Sequence, residues 1–435
     1  MKRSRYVSVK TKFFIALTTA LAWVALSIFL SRSWLQSLSS VTNFFISFLI
    51  IAGIAYIPGF MNTFLLTSVL IDKQPEFKND DPDDDITILV AAYNEGDTIY
   101  DTLSYINAQD YKGKIKTIVI NNNSNDHTVQ EVLRANRELP LDIECIDENT
   151  PGKFNALNAG LKKATTEFII TLDADTILHK SAVRYLVARI KSAPNDIAAV
   201  AGSVLVRNSR DNLLAKLQEW DYFLCIMSIK RMQGLFQGTL VAQGAFSIYK
   251  TSVVKEIGGW SDAIGEDIIL TWNMLAKNLK VYYEPLAIAF TDVPTEFSHF
   301  VKQRSRWARG MIEGLRLIKP WEQPNMYYKF LTGIDICILF MDIAYVLFFI
   351  PGVILALFGK FYIVGPFSLL VVPLTVLTFA LLFFKQRTFF KALDLKVRKN
   401  SLGFTVFILC YQFIISPISL YGYIQEFFNM KRVWK

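Results

Sequence analysis

The stretch that decides the fold is Phe168-Ile169-Ile170-Thr171-Leu172-Asp173-Ala174-Asp175-Thr176. An apolar run ends here in two carboxylates spaced i, i+2, which predicts a buried strand with a charged site at its end. In a mostly parallel sheet, ligands bind beyond the carboxyl ends of the strands, so Asp173 and Asp175 are placed to hold one. Such a pair suits a hard divalent cation that bridges phosphate oxygens. Taken alone, the pair fits a solvated turn equally well.

The composition is that of a membrane protein. The chain has 435 residues, 52% of them hydrophobic, which leaves room for more than one domain. Residues 13–31 and 44–66 are predicted to cross a bilayer as helices. A cleaved signal peptide is the alternative for the first span, but no small-residue cleavage site follows it.

Charge predicts the orientation of these spans. Basic residues precede the first span, namely Lys2, Arg3, Arg5, Lys10 and Lys12. Only Arg32 lies between the two spans, so the positive-inside bias places the N-terminus and the region after the second span in the cytoplasm.

The net charge of +8 fits anionic lipid and an anionic substrate, and no basic–aromatic pattern indicates nucleic acid. The four cysteines lack metal or redox spacing and indicate a reducing compartment.

An acidic run at residues 80–85 separates the second span from a region in which strand and helix patterns alternate. Strands are predicted at 86–92, 115–120, 143–146 and 168–172, and helices at 97–108, 126–137 and 153–163. This alternation predicts an α/β domain with a mostly parallel sheet and right-handed crossovers, the architecture of nucleotide-binding domains.

Polar clusters follow three of these strands. The first contains Tyr93 and Glu95, the second contains Asn122, and the third is the aspartate pair. Their positions at consecutive strand ends predict one pocket. Gly152-Lys153 opens a crossover helix, where a lysine and free N–H groups suit phosphate, although an exposed helix start is an alternative interpretation.

Two later motifs also carry candidate site residues. Glu266 and Asp267 begin a helical run at 268–277, where adjacent acids are usually partners of the helix dipole. In a predicted helix at 297–317, spacing puts Gln303, Arg306 and Trp307 on one face. An arginine there can grip a diphosphate and an indole can stack on a sugar or base, whereas a structural tryptophan in an interfacial helix is the plainer interpretation.

A second membrane block offers candidate spans at 331–358, 362–384 and 402–424. Basic residues crowd the loop before the last one, namely Lys385, Arg387, Lys391, Lys396, Arg398 and Lys399. That loop is expected in the cytoplasm, yet five spans would place the basic tail, with Lys431, outside. Either the last segment, which contains Pro417, is re-entrant or the tail is an exception; we expect five spans.

Asp342 is expected deep within the bilayer and facing protein or water, because a carboxylate at depth is costly. One interpretation is a contact to a Ser, Thr or Tyr of a neighbouring span. The other is that Asp342 lines a polar path across the membrane.

With these motifs in order over about residues 85–320, the chain resembles the processive, membrane-embedded family 2 glycosyltransferases, which include poly-N-acetylglucosamine, cellulose, hyaluronan and chitin synthases. The resemblance implies a GT-A type domain with a mostly parallel sheet, inserted between N- and C-terminal transmembrane helices. It also implies roles for the matching residues. The donor would be bound by Tyr93, Glu95, Asn122, Lys153, Asp173 and Arg306, and the metal by Asp173 and Asp175. Asp267 would be the general base, with Glu266 beside it in the catalytic pair, and Gln303 and Trp307 would bind the acceptor.

The chain departs from the family pattern in places. Asn122 stands where an aspartate usually accepts the uracil N3–H, and an amide oxygen can accept that bond without charge. Ala91 replaces a frequent proline. The chain ends soon after its last span, so no C-terminal cyclic-dinucleotide-binding barrel is expected. The overall pattern is most similar to poly-N-acetylglucosamine-type synthases.

We therefore expect an inverting transferase that uses Mg²⁺ or Mn²⁺ to move a sugar, from UDP-GlcNAc or UDP-glucose, onto a growing polysaccharide, and that exports it. The expected domains are a membrane region at 1–75, a cytoplasmic catalytic domain at 76–320 and a membrane region at 321–435, in the plasma membrane, with a possible accessory export protein and no nucleic acid as partner. A non-processive enzyme adding one sugar to a lipid carrier is the nearer alternative, and a non-catalytic nucleotide sensor the more distant one.

Overall fold

The computed structural model describes residues 7–365 and 371–431. The helices are α1 (Val9–Leu30), α2 (Arg32–Ser39), α3 (Phe44–Ile51), α4 (Ile57–Leu70), α5 (Ile99–Asn107), α6 (Thr128–Glu138), α7 (Lys153–Lys163), α8 (Ala182–Ser192), α9 (Leu213–Trp220), α10 (Met227–Leu235), α11 (Thr251–Ile257), α12 (Glu266–Ala276), α13 (Phe297–Leu317), α14 (Met326–Ala344), α15 (Ile350–Leu357), α16 (Val371–Ala392) and α17 (Ser401–Phe427). π-Helical turns join α3 to α4 (Ala52–Tyr56), α9 to α10 (Asp221–Ile226) and α14 to α15 (Tyr345–Phe349).

One mixed sheet forms the centre of the domain between the membrane helices. Its strands are β1 (Ile86–Ala92), β2 (Ile115–Asn121), β3 (Asp142–Asp147), β4 (Phe168–Asp173), β5 (Thr176–Leu178), β6 (Ile197–Val206), β7 (Phe246–Lys250) and β8 (Lys280–Thr291). They follow the order β3-β2-β1-β4-β7-β6-β8-β5. The four predicted strands are confirmed as β1 to β4, and all their pairings with one another are parallel.

Alternation along the strands builds a core on each face of the sheet. Leu89 of β1 packs in a cluster with helix α7, through residues such as Leu157. Its neighbours Ile88 and Val90 pack in the opposite cluster, with α5 and α8. Successive side chains of a strand point to opposite faces, so an apolar run such as β1 is buried on both. The carboxyl ends of β1, β2 and β4 are thereby held at one edge, where polar residues follow each.

The half of the sheet beyond β4 was not predicted from the sequence. Strand β7 is antiparallel to both β4 and β6, and β5 is antiparallel to β8. Strand β6 is rich in alanine, which is a weak strand former, and β8 contains Pro285 and pairs with β6 through register shifts. Neither has the apolar–polar alternation that predicts a strand.

Four segments of the described chain are long and apolar enough to cross a membrane: Val9–Leu30, Phe44–Leu70, Met326–Leu357 and Ser401–Phe427. The predicted span at 362–384 lies partly outside the described residues, since 366–370 are not among them. The helix that follows, α16, carries Lys385, Arg387 and Lys391 in its second half. The expected number of five spans therefore stays a prediction.

The first, second and third of these segments join the domain core at one end. Phe13 of α1, Phe64 of α4 and Phe236 after α10 form edge-on and tilted ring pairs with one another. Phe13 and Phe64 also pair with Phe330 of α14. Aromatic pairs of this kind are worth about 0.5–1.5 kcal/mol beyond their burial. The membrane helices are thus packed onto the domain and not tethered to it by a loop.

Helix α17 contacts the domain at both of its ends. At its start, the Asn400 side chain donates to the Lys216 carbonyl of α9, 3.0 Å away. Past its end, Arg309 of α13 donates to the Met430 carbonyl at 2.8 Å. The segment is one continuous helix through Pro417, so the break that a re-entrant loop would need is not present.

The predicted contact of Asp342 with a Ser or Tyr of a neighbouring helix is confirmed. Its two carboxyl oxygens accept hydrogen bonds from Ser416 at 2.6 Å and Tyr423 at 2.8 Å, both on α17. Asp342 is buried, as are both partners. It thus joins α14 to α17 as a helix–helix contact within protein.

Candidate active site

The turn after β1 places Tyr93 and Glu95 at the edge of the sheet. Asn94 between them has a left-handed backbone, with φ of 55°, a conformation that asparagine tolerates better than most residues. The turn is tied to the loop after β2, since Asn94 N–H donates to Ser124 Oγ at 3.0 Å and Glu95 N–H donates to Thr128 Oγ1 at 2.8 Å. Tyr93 is 41% exposed.

Asn122 is buried beneath the segment 148–152. Its amide nitrogen donates to the carbonyls of Glu148 and Thr150, each at 2.8 Å, and its Oδ1 accepts from Gly152 N–H at 2.8 Å. One amide thus holds together the loop that precedes α7. A role in reading the nucleobase stays a prediction, and only the second lone pair of Oδ1 is left for it.

Lys153 lies against the aspartate pair. Gly152 precedes it with φ of 130°, a backbone conformation open to glycine, and α7 then begins at Lys153. The ammonium group donates to Asp173 Oδ1. Burial alone would lower the pKa of Lys153, but the nearby charges of Asp173, Glu266 and Asp267 outweigh it and raise the pKa. The lysine therefore stays charged in a pocket of carboxylates.

Asp175, like Asp173, is half-buried. It accepts hydrogen bonds from Thr176 Oγ1 at 3.1 Å and Thr291 Oγ1 at 3.2 Å. Burial, followed by the charges of Asp173 and Glu95, raises the pKa of Asp175 to about 6. The negative charges of the carboxylates in this region outnumber the single positive charge of Lys153.

Glu266 and Asp267 open α12 and face the same pocket. Asp267 Oδ1 accepts from Ile268 N–H at 2.9 Å, and Oδ2 lies 3.4 Å from Gly244 N–H. Glu266 is buried, and burial and then the Asp267 charge raise its pKa to about 7, against the opposing charges of Lys153 and Arg306. At pH 7 the Glu266 carboxyl is thus about half protonated, whereas Asp267 is the more exposed of the two.

Residues 244–245 connect the two acidic pairs, and the sequence analysis missed them. The Ala245 carbonyl accepts from Asp173 N–H at 3.3 Å, while Gly244 N–H points at Asp267. A Cβ on Gly244 would lie 3.1 Å from Lys153 Nζ and 3.9 Å from Glu266 Oε1. The backbone can approach both groups this closely because residue 244 has no side chain. A lone glycine before strand β7 is the signal that could have indicated it.

The helix predicted at 297–317 is α13. Arg306 and Trp307 are exposed, with Trp307 at 39%, while Gln303 is half-buried. The Arg306 charge acts on Glu266, so the helix lies beside the pocket. Arg304, which the sequence analysis did not single out, is buried and forms an ion pair with Asp221 at 2.9 Å.

The residues present fit a divalent cation bound together with a substrate. Within the described residues, no three Cys, His, Asp or Glu side chains converge as a complete metal cage. Asp173 and Asp175 nevertheless offer hard carboxylate oxygens. Burial is the main cause of the raised pKa of Asp175, and the negative charges of Asp173 and Glu95, which a cation would offset, add to it. Mg²⁺ is commonly held by one or two carboxylates, with substrate phosphates and water completing its shell.

Comparisons with known proteins agree with this geometry. Residues 82–310 match the family described as glycosyltransferase like family 2. The chain is 35% identical over 271 residues to a poly-β-1,6-N-acetyl-D-glucosamine synthase of Staphylococcus aureus strain MSSA476, an alignment that covers 62% of this chain and 65% of that protein. The synthase of the same name from Staphylococcus epidermidis strain RP62A is 33% identical over 273 residues, with the same two coverages. The chain thus spans somewhat less than two thirds of the length of these relatives.

A solved structure shows the fold. The mannosyltransferase PcManGT from Pyrobaculum calidifontis, in complex with GDP-mannose and Mn²⁺, aligns with a TM-score of 0.57 at 14% identity, over 98% of this chain and 100% of its own. The domain is therefore of the GT-A type, with a mostly parallel sheet flanked by membrane helices. By its matched sequence and its fold, the chain belongs to the family 2 glycosyltransferases.

Proposed function

We propose that this glycosyltransferase moves N-acetylglucosamine from UDP-N-acetylglucosamine to the hydroxyl of a growing polysaccharide, with inversion at the anomeric carbon. The observation that carries the proposal is the single pocket that joins Asp173, Lys153, Glu266 and Asp267 through the backbone of residues 244–245. The donor and product are supported by the names of the relatives at 33–35% identity.

The acceptor hydroxyl loses its proton to Asp267 as it attacks the anomeric carbon from the face opposite the leaving diphosphate. Asp267 suits this role because it is partly exposed and its carboxylate is oriented by two backbone N–H groups. Glu266 is the competing candidate, since a pKa raised to about 7 is well matched to a general base at neutral pH. Comparing Asp267→Asn with Glu266→Gln separates the two roles.

The leaving diphosphate collects negative charge, which Lys153 and Arg306 offset. Asp173 and Asp175 would hold Mg²⁺ or Mn²⁺, and such a cation supplies Lewis-acid stabilisation of the diphosphate when bound. The Lys153 ammonium group donates a hydrogen bond to Asp173. A phosphate oxygen bound beside the Asp173 carboxylate would therefore also lie close to Lys153. Tyr93, Glu95 and Asn122 are proposed to surround the nucleoside, and Gln303 and Trp307 the acceptor.

The catalytic domain is proposed to occupy residues 76–320 on the cytoplasmic side of the plasma membrane, with membrane regions at 1–75 and 321–435. Export of the polysaccharide by the membrane helices and assistance by an accessory protein are further predictions. The bilayer itself is supported as a partner by the four long apolar helices.

The deciding experiment offers the purified full chain a panel of UDP-sugars with Mg²⁺ or Mn²⁺ and analyses products by mass spectrometry. Polymer from UDP-N-acetylglucosamine alone supports the proposal. Transfer of a single sugar to a lipid acceptor would support the non-processive alternative instead. If no donor gave any product, both functions would be contradicted.

A further inference from the structure

An ion pair at the side of the pocket has no role in the chemistry above. Arg304 of α13 and Asp221 are each 6% exposed, and Arg304 Nη1 lies 2.9 Å from Asp221 Oδ2. Two charges removed from water in this way are costly, and replacing such a pair with apolar residues is often neutral or stabilising. Its presence therefore calls for a reason other than stability.

The pair is joined to Trp307. The Arg304 guanidinium carbon lies 4.2 Å from the centroid of the Trp307 ring, against the rings of Phe300 at 5.2 Å and Tyr222 at 5.6 Å. Nε and Nη2 of Arg304 have no hydrogen-bond partner within residues 7–365 and 371–431. The guanidinium plane thus serves mainly to support aromatic faces, and only one nitrogen is committed to Asp221.

A π-helical turn brings the other half of this cluster into place. Asp221 and Tyr222 begin the turn Asp221–Ile226 between α9 and α10. π-Helical turns are rare in proteins, but those that occur are often found at functional sites. The extra residue of such a turn changes the direction of the neighbouring side chains. Here Asp221 reaches Arg304, while the Tyr222 ring lies 6.3 Å from the Trp307 ring. The charges of Asp173 and Asp175 also act on Tyr222, which places the cluster beside the proposed diphosphate site.

We infer that Arg304 and Asp221 are positioning residues that hold the Trp307 indole as the platform for the acceptor sugar. The inference rests on the proposed function, in which Trp307 binds the acceptor. Trp307 is still 39% exposed although Arg304 lies over its ring, so surface remains on which a sugar can stack. A ring fixed from behind loses less freedom when a sugar stacks on it, so acceptor affinity depends on the support.

The test measures UDP release with UDP-N-acetylglucosamine as donor and a short β-1,6-linked N-acetylglucosamine oligosaccharide as acceptor. Arg304→Lys keeps the charge opposite Asp221 but removes the flat surface that stacks on the indole. We expect the acceptor KM to rise roughly tenfold, with kcat and the donor KM unchanged. The double variant Asp221→Asn with Arg304→Gln removes both charges together, so no charge is left buried alone, and is expected to raise the acceptor KM likewise.

Arg309→Lys is the matched control. Arg309 is also 6% exposed and pairs with Glu426 at 3.2 Å, but it lies toward α17 and not under Trp307. The control should leave the acceptor KM unchanged. Equal changes in Arg304→Lys and Arg309→Lys, or a loss spread over donor KM and kcat, would assign the pair to general stability and overturn the inference.

Trp307→Ala separates this inference from the proposed function. A raised acceptor KM in Trp307→Ala together with normal values in both Arg304 variants overturns the inference alone. An unchanged acceptor KM in Trp307→Ala shows that the indole does not bind the acceptor, and then the assignment of Trp307 and the inference both fail.

Discussion

Replacing Asp342 tests whether its role is to join two helices. Asp342→Leu removes both hydrogen bonds, from Ser416 at 2.6 Å and from Tyr423 at 2.8 Å, and leaves the two hydroxyls buried. An interhelical hydrogen bond in a membrane protein contributes about 0.6 kcal/mol on average and about 1.7 at most. Two such bonds predict a loss of about 1 to 3 kcal/mol in the free energy of unfolding.

The loss can be measured by equilibrium unfolding in mixed detergent and SDS micelles, followed by tryptophan fluorescence. A double-mutant cycle with Asp342→Asn and Tyr423→Phe isolates the Tyr423 bond, because each variant removes part of one contact and little volume. A coupling energy of about 0.5 kcal/mol or more is expected.

The alternative for Asp342 is a polar path for the glycan. Under the packing role, Asp342→Leu that still folds makes polymer of normal length. Unchanged stability combined with shorter or poorly exported polymer would refute the packing role and restore the path.

Three further predictions concern the site and the tail. Asp267→Asn should bind UDP normally and lose about 10²- to 10⁴-fold in kcat, because an amide cannot take the proton; wild-type turnover in a steady-state assay would remove Asp267 from the mechanism. Asp175→Ala should abolish metal-dependent UDP binding by calorimetry, with EDTA mimicking it in the wild type, and activity that persists in excess EDTA would contradict the metal assignment. Reporters fused after residue 401 and at the C-terminus should both report the cytoplasm, since Asn400 and Met430 contact the catalytic domain at the two ends of α17; opposite signals would mean that α17 crosses fully.

The tail prediction revises the expectation of five spans, which came from hydropathy. Five spans would put Lys431 outside, in conflict with its positive charge. Both ends of α17 lie against the domain, through contacts with α9 and α13, so a cytoplasmic domain, as proposed, would keep the tail in the cytoplasm as well. Hydropathy counts apolar length and cannot tell a crossing helix from one that follows a protein surface.

The sequence by itself determined the first four strands, the crossover helix at Lys153 and the helix that carries Trp307. Each has a strong local signal, namely a short apolar run closed by polar residues or an apolar face at helical spacing. The positions of Asp173 and Asp175 at a strand end followed from the same signal. Such patterns can be recognised in the sequence because residues close together in the chain produce them.

Only the tertiary structure decided which residues meet in the pocket and how they are charged. Residues 244–245 join Asp173 to Asp267 although neither aspartate is near them in the chain, and Arg304 pairs with Asp221, which lies 83 residues earlier. The raised pKa of Glu266 depends on burial and on the Asp267 charge beside it. These properties depend on the distances between the groups and on the burial of each one. Both are set by tertiary packing and not by the neighbouring residues in the sequence.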